Sequence, residues 1–231
     1  MFIAKKNILI ASSITIAAVV FLAGCRTAGS LGGILSSETE YERAIPAEFK
    51  LAKTEGKIVV VVSQPAWIKT PVDLRGTLTD TFNLALEEGA KIKKERLFPY
   101  THVLELRRNL PDEKKDDPFE IALKLNAQYV LVVQITDFEL STFAEEDLFN
   151  GLMKTKSCLF NINTEKLWPQ DANGVGREIT VGFEAEKRTV KSAVEQLSAA
   201  TAHCVTRYFY DCKAIKFRIA EEQKELDFYT W

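Results

Sequence analysis

Histidine is scarce: the 231 residues hold two, His102 and His203, far apart in the chain. Neither has a cysteine or carboxylate partner at metal-ligand spacing. The adjacent pair His203 and Cys204 makes no nucleophile with its base, because neighbouring helical residues point about 100° apart. Phosphate loops, a dinucleotide fingerprint and a serine elbow are missing as well. Gly174-Val175-Gly176 reads only as a loop between strands. No catalytic residue, metal site or cofactor is therefore expected. An excess of one charge is also lacking: 30 Lys and Arg face 32 Asp and Glu, for a formal charge of −2. Without a strong field a nucleic-acid partner is not expected. Local charge runs read as surface: Glu145, Glu146 and Asp147 as a solvated turn, and Lys91, Lys93, Lys94 and Arg96 as an exposed edge that resists mispairing.

One long uncharged stretch is present, at the amino end. Lys5 and Lys6 precede a run from Ile8 to Ala23 without any charge, ending in Leu22-Ala23-Gly24-Cys25. A positive start, a short apolar core and small residues before a cut describe a secretory signal. The run falls short of the ~20 residues a spanning helix needs. The tetrapeptide resembles the lipobox of bacterial lipoproteins. That resemblance implies cleavage between Gly24 and Cys25 and acylation of the Cys25 thiol, with palmitate-type chains holding the protein on a membrane. Each buried CH₂ adds ~0.8 kcal/mol, so two or three chains anchor far better than one. Arg26 stands where aspartate would mark inner-membrane retention, which implies the outer membrane of a two-membrane host.

This divides the chain into a signal peptide (1–24), a Gly/Ser-rich tether (25–37), one α/β domain (38–212) and an amphipathic tail (213–231). Of four cysteines, Cys25 is taken by lipid, leaving Cys158, Cys204 and Cys212. Cys204 and Cys212, eight residues apart on an expected helix, are separated by ~12 Å of rise. That is too far for a bridge. Cys158 with either of them remains open, against three small buried hydrophobes.

Within the domain, Tyr41, Ile45 and Phe49 recur at fours and predict a helix near 38–53, interrupted by Pro46. Lys57–Ser63 (KIVVVVS) is β-branched and apolar on both faces, as in a covered central strand. Gln64–Pro71 is a loop carrying Trp67. Asp73 caps a helix that runs to Glu88, and Asp117-Pro118 open a short one that Asn126 stops. Between them, Lys91–Arg96 would form a short strand with Ile92 inward, and His102–Arg108 a helix or irregular stretch. Gln128–Leu140, Leu152–Asn163 and Leu167-Trp168 form an antiparallel meander, Arg177–Glu184 another strand, and Thr189–Asp211 a long helix. Early alternation with a late meander predicts an α/β sandwich with a mixed sheet packed by helices.

Leu125-Asn126-Ala127-Gln128-Tyr129-Val130 and Thr164-Glu165-Lys166-Leu167-Trp168 carry a family likeness. The first is similar to a "leucine-glycine-alanine-x-tyrosine-valine" lead into a strand, and the second to a "threonine-glycine-x-x-tryptophan" turn. Asn126 and Glu165 stand where glycine is usual. The stretch from Lys57 to Asp211 resembles the two-layer sheet-and-helix domain shared by the TolB N-terminal region, the curli-secretion lipoprotein CsgG and the synthase-activating lipoprotein LpoB. The resemblance implies an envelope-assembly or accessory lipoprotein, or the subunit of a self-assembling ring. No pair of segments beyond the core strands alternates for the ~9–11 residues that a membrane hairpin requires. The expectation is a non-enzymatic protein that binds an envelope protein, with Trp67 and Trp231 as candidate contacts.

Overall fold

The computed structural model describes residues 44–143, 148–170, 176–186 and 189–213. Cys25, Gly24, Trp231 and the acidic turn at 145–147 lie outside them.

The sheet grows from Ile58–Ser63 (β2), where Ile58, Val59, Val60, Val61 and Val62 are all essentially inaccessible to water. Burying each such side chain contributes ~1.5–3 kcal/mol. β2 lies parallel to Tyr129–Phe143 (β3), with Ile58 opposite Tyr129 and Ser63 opposite Gln134. β3 turns back into Leu148–Asn161 (β4), antiparallel, with a bulge between Ile135 and Asp137. The far side of β4 is shared by Lys166–Trp168 (β5) and Arg177–Glu186 (β6), both antiparallel. The sheet is mixed, and helices pack it as an α/β sandwich.

Leu74–Glu88 (α1) and Val190–Thr206 (α4) cover one face. They bury Leu78, Phe82, Leu86, Val194, Leu197 and Val205 against Val60, Val62, Leu131, Val133 and Met153. Tyr100–Asn109 (α2) and Pro118–Lys124 (α3) cover the other face only at the β2–β3 end, through Val103, Ile121 and Ala122 on Val59, Val61 and Val130. The β3–β4–β6 half keeps its second face polar. Asp137 pairs with Lys154 at 3.2 Å and Lys156 with Glu178 at 3.7 Å across the strands.

The expected caps are in place, with Asp73 accepting from Gly76 N and Asp117 from Phe119 N; Thr189, at the expected start of the last helix, accepts from Ser192 N. Asn126 takes the left-handed conformation at φ 54°. Three expectations are corrected. Among residues 44–53 there is no α-helix. Ala44–Ile45 (β1) pairs with Cys212–Lys213 (β7), and Glu48 N and Phe49 N both donate to Tyr208 O. A distant part of the chain supplies the hydrogen bonds a local helix would have made. Residues 91–93 form no strand. Lys91 sits at φ 56° and a 3₁₀ turn follows at Lys94–Arg96, although Ile92 is buried as expected. The last helix ends at Thr206, tightens into a 3₁₀ turn over Arg207–Phe209, and leaves Cys212 in β7 rather than in line with Cys204.

The segment leading into β2 is strapped down by charge as well. Glu48 accepts from Trp168 Nε1 at 2.7 Å and from Arg177 Nη2 at 2.9 Å. The Arg177 guanidinium lies 5.0 Å from the Tyr208 ring centre. Asp211 accepts from Ala47 N and from Lys50, each at 3.0 Å, and those contacts hold its carboxyl below the usual carboxylate range.

Candidate functional site

Trp67 falls just beyond the carboxyl end of β2, where open α/β sheets place their binding crevices. Its loop is braced. Gln64 Nε2 donates to Ile68 O at 2.7 Å, Ile68 N donates to Pro65 O at 3.1 Å, and Arg75 Nη2 donates to Gln64 O at 3.2 Å. Ile68 is drawn inward to 5% exposure, while Trp67 is left 64% exposed. Beside the loop lies a hollow of about 460 Å³ lined by Gln64, Pro65, Ile68, Asp73, Arg75 and Tyr100, among others.

The wall of that hollow is polar and tightly linked. Tyr100 Oη donates to Asp73 Oδ1 at 3.4 Å. Burial pushes the Tyr100 hydroxyl up, and the Asp73 charge adds to the effect. Behind this wall Arg107 is 6% exposed. Its Nη2 donates to Val62 O at 2.8 Å and its Nε to Lys115 O at 3.3 Å, so a guanidinium satisfies the end of the edge strand. Asp116 lies 3.2 Å from Arg75 Nη1 and 3.6 Å from Arg107 Nε. Burial, and then the neighbouring Arg75 charge, lower the Arg107 pKa. These groups are engaged in positioning the loop and helix, an arrangement suited to presenting a rigid surface.

The sequence reading picks out Trp67 and misses the Arg75–Arg107–Asp116 link beneath it. A signal was there. Tyr100, Val103 and Arg107 share one buried helical stripe, and an arginine on an apolar stripe needs buried acceptors. His102 is exposed on α2, with its ring 6.3 Å from that of Phe98. His203 is half-buried and Cys204 buried, both in α4. Among the described residues no three His, Cys, Asp or Glu are grouped as a metal site would need, and no helix is long and apolar enough to cross a membrane.

No protein-family model and no curated protein matches this chain. Solved structures do. The PelC dodecamer from Paraburkholderia phytofirmans is 16% identical, with a TM-score of 0.39, over 74% of this chain and 97% of that one. Lipoprotein GNA1162 from Neisseria meningitidis is 16% identical, with a TM-score of 0.38, over 64% of this chain and 95% of that one. The LpoB C-terminal domain from Salmonella enterica is 16% identical, with a TM-score of 0.28, over 58% of this chain and 84% of that one. At these levels the fold and site of this chain stand on its own residues.

Proposed function

We propose that the protein is a lipid-anchored accessory factor of the bacterial cell envelope, without enzymatic activity, which binds another envelope protein through the Trp67 loop. The observation that carries this reading is a tryptophan kept 64% exposed on a loop whose backbone is braced by Gln64 and Arg75. Exposed aromatics on rigid supports are the usual anchors of protein interfaces, because little conformational entropy is lost when they bind. The lipobox-like Leu22–Cys25 supplies the membrane attachment, and Arg26 favours the outer membrane, facing the periplasm.

The test is made on native protein extracted from membranes carrying a photocrosslinking amino acid in place of Trp67. Intact mass should begin at acylated Cys25, and irradiation should join the chain to one specific envelope protein. An uncleaved mass, or no adduct from position 67, removes the support for this function.

A second reading, a self-assembling subunit, is favoured by the ten-residue β6, which among the described residues pairs only with β4. A strand edge of that length is a template for another copy. Light scattering in detergent separates the two: a monomeric mass counts against assembly.

A further inference from the structure

The hollow beside Trp67 is one of two that meet at Val72, Asp73 and Tyr100. The second, of about 500 Å³, follows the outer side of α1 as far as Glu195 on α4. Its apolar walls include the Tyr100 ring and Leu84, which is left 52% exposed. Its charges are all of one sign. Asp73, Asp80 and Glu195 line it, and among the described residues no lysine or arginine does.

Two of these carboxylates are fixed by duties in the fold. Asp73 caps α1 through Gly76 N, and Asp80 lies near the Tyr100 backbone at the start of α2, whose N–H favours its charged form. Glu195 is 54% exposed, and Lys191 approaches it only to 3.8 Å. Gly76 makes the close packing possible. A Cβ there would stand 2.8 Å from Tyr100 Cε1 and 2.9 Å from an Asp73 oxygen.

We propose that this groove docks a basic segment of a partner protein, with a lysine or arginine over Asp73, Asp80 and Glu195 and an apolar neighbour against Leu84. The proposal rests on the accessory reading for its premise that the partner is a protein. Charge complementarity selects the occupant. Anionic lipid headgroups meet three carboxylates here and are repelled. A long basic side chain can lay its stem on the apolar wall while its head stays among the acids. Salt-sensitive steering by the carboxylates would also speed encounter with such a partner.

The experiment uses the full-length lipidated chain in a neutral detergent and two fluorescein-labelled probes, Gly-Lys-Leu-Lys-Gly and Gly-Glu-Leu-Glu-Gly. Anisotropy should show saturable binding of the lysine peptide only. The double variant Asp80→Asn/Glu195→Gln should weaken it at least fivefold, and Leu84→Asn at least threefold. Glu139→Gln, which removes one negative charge on the other face of the sheet, should leave the affinity unchanged. No binding, equal binding by the glutamate peptide, an unaffected double variant, or an equal loss in Glu139→Gln each overturns the proposal. Leu84 is exposed, so its variant decides the matter if the double variant does not fold. An absent photo-adduct at position 67 reports on the accessory reading separately, whichever way the peptides behave.

Discussion

At Trp67 the backbone is held by its neighbours while the side chain faces solvent, so stability and binding should separate there. Surface substitutions away from buried contacts usually change stability by no more than ~0.5 kcal/mol. Trp67→Ala should therefore melt with the parent and yet lose at least tenfold in crosslinking to its envelope partner from a photoreactive residue placed at the neighbouring, exposed Ala66. A matched fall in melting temperature would make Trp67 a packing residue. Asp80 separates by pH instead. Burial raises its carboxyl pKa, with the Asp73 charge adding to that and the nearby Tyr100 N–H opposing it. A carboxyl that holds its proton more tightly when folded subtracts stability as pH rises through its folded pKa. Asn keeps an acceptor for the Tyr100 N–H and carries no charge. Asp80→Asn should thus be more stable than the parent at pH 7, by less than about 1 kcal/mol because the group is largely solvated. The advantage should shrink as pH falls through about 4, where the carboxyl takes up its proton in the unfolded state as well as the folded one. Paired thermal melts at about pH 7 and about pH 3.5, on either side of that carboxylate range, check this. A variant less stable at both would assign Asp80 a purely structural role.

At the scale of elements, local chemistry announced what local chemistry determines. Asp73, Asp117 and Thr189 each start a helix because a short side-chain oxygen just ahead of the orphan N–H groups has little else to do. β2 was legible because five consecutive branched apolar residues fit only a strand covered on both faces. The 44–53 segment was not legible. Its spacing at fours suits a helix, but Glu48 reaches Trp168 and Arg177, and the neighbouring N–H groups reach Tyr208 O. Nothing in the local sequence names those partners. The end of α4 was overrun for a related reason: Tyr208 and Phe209 continue the apolar pattern, yet they are buried in a tighter turn that feeds β7. The strap can be tested directly. Glu48→Ala leaves the Trp168 N–H and the Arg177 guanidinium without their carboxylate, a loss of about 1–2 kcal/mol for partly exposed charged hydrogen bonds. Trypsin should then cut after Lys50 and Lys53 faster than in the parent, while fragments from β3 and β4 appear at the parent rate. Unchanged cleavage would mean that β1–β7 pairing and the Tyr208 carbonyl hold the segment alone.

For the whole molecule, the groove and the proposed lipid attachment rest on different parts of the chain and on different kinds of reading. The proposed anchor at Cys25 rests on a pattern that is linear by nature: a processing signal is read as an extended peptide, so its residues sit side by side. The groove around Asp73, Asp80, Tyr100 and Glu195 is assembled from α1, α2 and α4, and only folding brings it together. Under the anchor reading, the two parts depend on each other in one direction. The core among the described residues runs from Leu51 to Cys212, so removing the Cys25 thiol should cost location and not structure. Cys25→Ser should shift the protein from the membrane fraction to the soluble or uncleaved pool, with no acyl mass added. The variant's melting temperature should stay within the parent's error, and its binding of the lysine peptide should be unchanged. Crosslinking from position 67 in cells should nevertheless fall, because the proposed tether of a dozen or so residues would keep the domain within ~40 Å of its membrane, and partner encounter would depend on that nearness. A Cys25→Ser protein that remained in the membrane fraction at its parental level would remove the lipid from the account. A soluble variant that crosslinked as well as the parent would show instead that the interface alone is strong enough to find its partner.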